Sequence, residues 1–389
     1  MQLPLHEPQF DENDESYVID CLRSTWVSTG GPYVERFERN FAEYTGAKHA
    51  VSVCNGTVGL QLALEVLAKE SGIESPFEVL VPTLTFIATA NAVVHAGGHP
   101  VFMDCAENSY NICPKEVFLR IRNEYRLVGT RWLSKATGRP LLAIMPVHIM
   151  GWTCDLDALS QGAAELGIAI IEDAAEALGS RTVGGGHVGH TGRAAVFSFN
   201  GNKILTVGGG GMLITDDDDF AKRAKHLATT ARVDSLRYVH DEVGHNFRLI
   251  NLLAALGCSQ LLKLDERLVK KKRIFERYCA LLADHKAVVV HAEPHTVAAN
   301  HWLVNIRTRN ESDREKLLTG LNAAQVQARP LWTPLHRQPA YLEGSATPQG
   351  LRDYPNADVM WRTSLSLPSS PHISDEQLSF VVGQVRNLA

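Results

Sequence analysis

The chain has 389 residues, 45% of them apolar and 21% charged, a composition that fits a soluble globular protein long enough for two domains. Its net charge of -5 is small for that length, with both signs interleaved, which argues against nucleic acid or an anionic membrane as a partner. No stretch reaches the roughly 20 apolar residues of a membrane span. Met1–Glu7 lacks the basic and apolar regions of a signal peptide. The seven cysteines form no CxxC pair and the sixteen histidines no HExxH, so neither a disulfide framework nor a metal site is expected, and the setting expected is the cytoplasm.

Apolar periodicity predicts helices over 12–24 and 33–45, then a strand over Ala50–Cys54 and a helix over Val58–Ala68. A strand over Glu78–Val81 leads through Pro82–Phe86 into a small-residue helix, Ile87–His95. Strands follow at Val101–Met103, at Leu142–Val147, at Ile168–Glu172 ending on Asp173, at Ala195–Phe199, and at Met212–Thr215 after the glycine run Gly208–Gly211. A helix over Leu156–Leu166 separates two of them. Strands alternating with helices predict an α/β fold with a mostly parallel sheet, in which ligands sit at the carboxyl ends of strands. Past about residue 250 the pattern changes. Asn251–Leu282 reads as one long helix or two, followed by shorter strands (Ala287–Val290, Trp302–Ile306) and helices (Asp313–Leu321, Asp375–Arg386). The reading is a large domain over 1–260 and a smaller C-terminal α+β domain over 261–389.

Four features at strand ends bear chemistry. Asn55-Gly56-Thr57 joins a strand to a helix, where free backbone N–H groups and the helix dipole favour an anion. Asp173 ends an apolar strand, where a carboxylate either caps a helix or pairs with a cation such as a pyridinium nitrogen. Lys203 closes Ser198-Phe199-Asn200-Gly201-Asn202-Lys203 between apolar segments, and burial there makes an amine a competent nucleophile and proton carrier. Ser198 and Asn200 are candidate phosphate donors. Phe86, in Pro82-Thr83-Leu84-Thr85-Phe86-Ile87-Ala88-Thr89, is either core or a face for a flat ring. Each feature alone has an ordinary structural explanation, and the weight lies in their convergence.

Together these segments resemble the DegT/DnrJ/StrS family of pyridoxal-phosphate sugar aminotransferases, which share the fold-type I, aspartate aminotransferase-like architecture. The resemblance runs over nearly the whole chain. It also takes in Trp26–Gly30, Val147-His148 with Gly151, Ile171–Glu176, Gly244-His245-Asn246-Phe247-Arg248, and Arg329-Pro330 with Pro334–His336. It implies that Lys203 is the Schiff-base lysine and Asp173 the partner of the pyridine nitrogen. It implies that Phe86 stacks on the ring, and that Gly56, Thr57 and Ser198 cradle the phosphate. Glu176 stands where many members have Gln or His near the ring hydroxyl. Asn246 matches an asparagine that reaches the neighbouring subunit's cofactor, which implies a homodimer with shared sites. Trp26, Ser28, Thr29, Arg248 and His336 match positions near the substrate.

Within the family, Leu5-His6-Glu7-Pro8, Thr137-Gly138-Arg139-Pro140 and Tyr238–Glu242 resemble the LegC-like branch, which aminates sugars on routes to nine-carbon nonulosonic acids. A similar branch acts on an oxidised eight-carbon ulosonic acid and forms 8-amino-Kdo, also for surface polysaccharide or lipopolysaccharide. The implied substrates are glutamate, released as 2-oxoglutarate, and a keto-sugar. The cofactor alternates between pyridoxal and pyridoxamine phosphate in a ping-pong cycle. A pyridoxamine-phosphate sugar dehydratase on the same scaffold would replace the lysine by His, and a non-catalytic regulatory protein would have lost a site residue. Gly184–Gly186 and Gly208–Gly211 lack the order of a nucleotide-binding loop.

Overall fold

The computed structural model describes residues 2–293, 298–342 and 352–389. In chain order, α1 (Glu12–Ser24) and α2 (Pro32–Thr45) lead into β1 (His49–Val53) and α3 (Gly56–Glu70). Next come β2 (Glu78–Pro82), α4 (Ala88–His95), β3 (His99–Met103), α5 (Pro114–Glu124) and the hairpin β4 (Tyr125–Val128) and β5 (Arg131–Ser134). Then follow β6 (Leu141–Ile144), α6 (Leu156–Leu166), β7 (Ala169–Asp173), β8 (Ala194–Ser198), β9 (Gly211–Thr215) and α7 (Asp218–Ala228). A small ribbon, β10 (Arg232–Asp234) and β11 (Val239–His240), precedes α8 (Asn251–Leu262) and α9 (Leu264–Leu282). The remainder is β12 (Val288–Val290), β13 (Val304–Thr308), α10 (Glu311–Ala323), β14 (Arg329–Pro330), α11 (Pro339–Leu342), α12 (Pro355–Thr363), β15 (Ser364–Leu367) and α13 (Asp375–Leu388).

Local chemistry starts and stops these elements. Asp11 caps α1 in a reciprocal box with Asp14, and Ser374 does the same for α13 with Gln377. Pro32 opens α2, and Gly46, in the left-handed region, closes it.

The large sheet has the order β1-β9-β8-β7-β6-β2-β3. Pairing is parallel from β3 through β2, β6 and β7 to β8, and antiparallel where β9 meets β8 and β1. The mostly parallel sheet expected from the sequence is present. Strands β2 and β6 are buried along their whole length because helices cover both faces. Alternate side chains feed two cores. Val196 and Leu213 pack with α3, α4 and α7 on one face, while Phe197, Met212 and Ile214 pack with Phe37 and Phe41 of α2 and with α8 on the other.

The second sheet, β12-β13-β15-β14, is antiparallel throughout and packs against α9, α10 and α13. Leu3, near the chain start, pairs with Val326 and joins this core. The long helical stretch is two helices, broken at Lys263. Among the described residues no helix is long and apolar enough to cross a membrane.

Candidate active site

The carboxyl ends of β1, β2, β7 and β8 surround a cavity of about 320 Å³, within the size range of small-molecule sites. One end is the N-terminus of α3. Asn55 caps that helix, its Oδ1 accepting from the Val58 N–H at 3.0 Å. A side chain at Gly56 would meet Ser198 Cβ at 3.2 Å, and one at Gly211 would strike the Gly56 nitrogen at 2.9 Å. The missing side chains let β9 and β8 close onto the helix start, so that Gly56, Thr57, Ser198, Gly209 and Gly210 line one concave wall. Backbone N–H groups at a helix start have no partner within the helix and attract an anion.

Asp173 lines the cavity from the last residue of β7. Its Oδ2 accepts from the Thr89 hydroxyl at 2.8 Å and its Oδ1 from the Ala175 N–H at 3.1 Å. Burial pushes the carboxyl above the ordinary aspartate range, while Thr89, Ala175 and the Lys203 charge pull against that rise. Behind the strand, Glu172 is buried against His148 Nε2 at 2.9 Å and accepts the N–H groups of Gly189, Thr191 and Gly192. Burial raises Glu172, but His148 and these N–H groups outweigh it and hold the carboxyl below its usual range. The His148 N–H in turn bonds the Asp173 carbonyl at 3.1 Å, which fixes the end of the strand.

Lys203 faces the same space. Its Nζ lies 3.4 Å from Glu176 Oε1 and 3.9 Å from the centre of the Trp302 ring. Burial raises the Glu176 carboxyl, and the Lys203 charge is the largest opposing influence. Phe86 is half exposed at the cavity rim, its ring 6.1 Å from that of Trp332. An amine, a buried carboxylate, an aromatic rim and an anion-binding helix end thus share one chamber.

The profile of the DegT/DnrJ/EryC1/StrS aminotransferase family matches residues 8–386. The chain belongs to that family. It is 35% identical to the GDP-perosamine synthase of Escherichia coli O157:H7 over 97% of this chain and 96% of that one. It is equally identical to the putative pyridoxal phosphate-dependent aminotransferase EpsN of Bacillus subtilis (strain 168), over 87% of this chain and 83% of the relative. The crystal structure of S. venezuelae DesV in complex with a ketimine intermediate superposes with a TM-score of 0.85 at 30% identity, covering 99% of this chain and 98% of that one. The fold is the fold-type I architecture of pyridoxal-phosphate aminotransferases, and the cofactor is pyridoxal phosphate.

The aminotransferase's own residues fit that cofactor. The concave wall at Gly56 and Ser198 suits a phosphate, the buried carboxylate of Asp173 a protonated ring nitrogen, and Lys203 an aldehyde carbon. Of the residues expected from the sequence, Gly56, Thr57, Phe86, Asp173, Glu176, Ser198, Asn200 and Lys203 all line the chamber.

The others lie elsewhere. Trp26, Ser28 and Thr29 pass over the start of α8, where Asn251 donates its side-chain amide to the Trp26 carbonyl and its backbone N–H to that of Ser28, both at 2.6 Å. Trp26 is 62% exposed. Arg248 Nε donates to Asn246 Oδ1 at 3.0 Å in a segment beside the end of β1. His336 is held by Thr83 at 2.8 Å and Asp358 at 3.2 Å. The lining also takes in Thr89, Trp302 and Trp332, to which the sequence assigned no role.

Proposed function

We propose that this aminotransferase carries pyridoxal phosphate on Lys203 and moves the amino group of an amino acid, glutamate, to a keto-sugar destined for a surface polysaccharide. The observation behind this reading is that Lys203, Asp173 and the helix-start cradle line one chamber. When bound, the cofactor supplies an electron sink for the carbanion left by loss of the donor's α-proton and stores the amino group between half-reactions.

The residues divide that work. Lys203 Nζ would hold the covalent link to the cofactor and, when free, would take up and give back the donor's α-proton. Asp173, supported by Thr89 and the Ala175 N–H, would keep the ring nitrogen protonated. Gly56, Thr57, Ser198 and Asn200 would hold the phosphate at the start of α3. Phe86 would offer an aromatic face to the ring and, with Trp332, would limit water at the rim.

The protein acts as a cytoplasmic homodimer. Asn246 and Arg248 lie outside their own subunit's cavity, and Asn246 is exposed, as a residue reaching a neighbour's cofactor must be. The exposed Trp26 with Ser28 and Thr29, together with Arg248 and His336, contact the sugar in the dimer. The GDP-linked product in the name of the 35%-identical relative favours a nucleotide-linked 4-keto-6-deoxy sugar. The resemblance to the LegC-like and 8-amino-Kdo-forming branches adds an 8-keto-3-deoxy-octulosonate as the second substrate to test.

Lys203→Arg tests the reading. The variant keeps its far-ultraviolet circular dichroism and melting temperature but loses the visible absorbance of the linked cofactor and all glutamate-dependent turnover. Turnover retained in that variant removes the assignment. A panel of keto-sugars, with and without a nucleotide, then identifies the acceptor through glutamate consumption.

A further inference from the structure

The two contacts of Lys203 are built as one unit. The Glu176 Oε2 accepts the Met150 N–H at 2.8 Å, on a turn where Met150 takes a left-handed φ of 57°. Trp302 is fixed at both ends: its indole N–H donates to the Asn202 carbonyl at 2.6 Å, and its own N–H donates to Asn300 Oδ1 at 2.9 Å. Asn300 ties the halves together, because its amide donates to the carbonyls of Glu176 at 2.7 Å and Leu178 at 3.0 Å. From behind, the buried amine of Lys271 donates to the Trp302 carbonyl at 2.6 Å.

We propose that Trp302 and Glu176 form a seat that holds the Lys203 ammonium whenever the lysine is released from the cofactor. The inference rests on Lys203 being the cofactor-bearing lysine. An ammonium over an aromatic face is attracted by the ring's negative quadrupole, and a carboxylate beside it adds a second, directional attraction. Both surfaces are fixed before the lysine arrives, so little ordering cost falls on the seat itself. The displaced lysine therefore stays within reach of the reacting carbon while donor and product exchange. Trp302 acts here as a positioning residue, through Lys203.

The experiment uses the full-length enzyme converted by excess glutamate to its aminated form, in which the lysine is free. Competitive labelling with an amine-reactive ester, followed by peptide mass spectrometry, compares Lys203 with exposed lysines of the same molecule. Trp302→Leu raises Lys203 labelling about tenfold, within the range of a partly desolvated cation–aromatic contact. Trp302→Phe stays within about threefold of the parent, because it keeps an aromatic face for the cation while giving up the fused five-membered ring and its N–H. Glu176→Gln keeps the acceptor for Met150, removes the charge, and raises labelling by about threefold or more, giving a second arm should Trp302→Leu fail to fold. Unchanged labelling in Trp302→Leu or in Glu176→Gln overturns the seat, as does a Trp302→Phe protein that labels like Trp302→Leu. Borohydride trapping of the cofactor in the parent enzyme separates the two readings. An adduct mapped to Lys203 leaves the attachment standing whatever the seat does, and an adduct on another lysine overturns the attachment itself.

Discussion

Thr89, in the first turn of α4, donates its hydroxyl hydrogen to Asp173 across 2.8 Å, and Thr85 stands 3.0 Å behind it. The carboxyl it serves is buried and raised above its ordinary range, so each donor that favours the charged form matters. A hydrogen bond to a charged group contributes about 1.5–3 kcal/mol. Thr89→Val removes the donor at nearly constant volume. The expected result is a roughly 10- to 100-fold fall in kcat/KM for the amino donor, with the acid limb of the pH profile moved to higher pH, because Asp173 then protonates more readily. Thr89→Ser restores both to within a few-fold. An unchanged acid limb in Thr89→Val shows that the hydroxyl does not govern the charge.

The sequence announces the residues at strand ends and conceals those that depend on tertiary approach. Gly56, Asp173, Ser198 and Lys203 each follow an apolar run by one to a few residues, so period and punctuation point to them. Thr89 carries no such mark, since a threonine inside a small-residue helix reads as helix. Trp302 meets Lys203 only because the residues just before β13 pack against the core of the large sheet, which no local pattern encodes. Strand β9 is buried on both faces like the parallel strands β2 and β6, and its apolar run carries no direction, so its antiparallel pairing is invisible before the fold is known. The break at Lys263 is equally hidden. Neither Gly nor Pro marks it, and the helical pattern runs through.

Gly56 offers a direct test of the cradle. A methyl group there approaches Ser198 Cβ to 3.2 Å, closer than most contacts, yet yielding needs only a few tenths of an ångström. Gly56→Ala therefore folds, at a stability cost of about 1 kcal/mol. The added group presses on Ser198, itself a residue of the cradle, so cofactor dissociation rises by about tenfold or more. Equilibrium dialysis of the cofactor against the variant, with melting curves run in parallel, measures both. Unaltered cofactor affinity would falsify the placement of the phosphate at this helix start.

A site shared between two subunits, as proposed, predicts complementation between inactive ones. Asn246→Ala and Lys203→Ala proteins are each expected to be nearly inactive. When their subunits exchange, a mixed dimer whose sites draw Lys203 from one chain and Asn246 from the other contains one site with both defects and one with neither. A randomly mixed sample, in which about half of the dimers are mixed, should recover about a quarter of the parent activity. Exchange is confirmed by native mass spectrometry of differently tagged subunits. No recovery after confirmed exchange places Asn246 in its own subunit's site or outside the chemistry altogether.

His187 ties stability to acid conditions. It is buried beside Phe197 and Tyr44, its Nε2 accepts the Gly179 N–H at 2.9 Å, and its Nδ1 donates to the Val188 carbonyl at 2.7 Å. Both ring nitrogens are committed to the neutral form. Burial lowers its pKa to about 4, and the backbone carbonyl opposes the drop only in part. An unfolded histidine titrates at about 6.5. The unfolded chain therefore binds this proton first as pH falls. The contribution is complete above the unfolded value, shrinks by about 1.4 kcal/mol per pH unit below it, and is lost once pH reaches about 4. His301, lowered by burial to about 3, acts in the same direction. His187→Gln keeps an acceptor for Gly179 but cannot titrate. It is less stable than the parent near neutrality, and its urea midpoint falls less steeply between about pH 6.5 and pH 4.5, by about one proton in the linkage slope. Parallel slopes for the two proteins would mean that His187 charges in the folded state as readily as in the unfolded chain, and that the neutral tautomer held between Gly179 and Val188 is not what the fold requires.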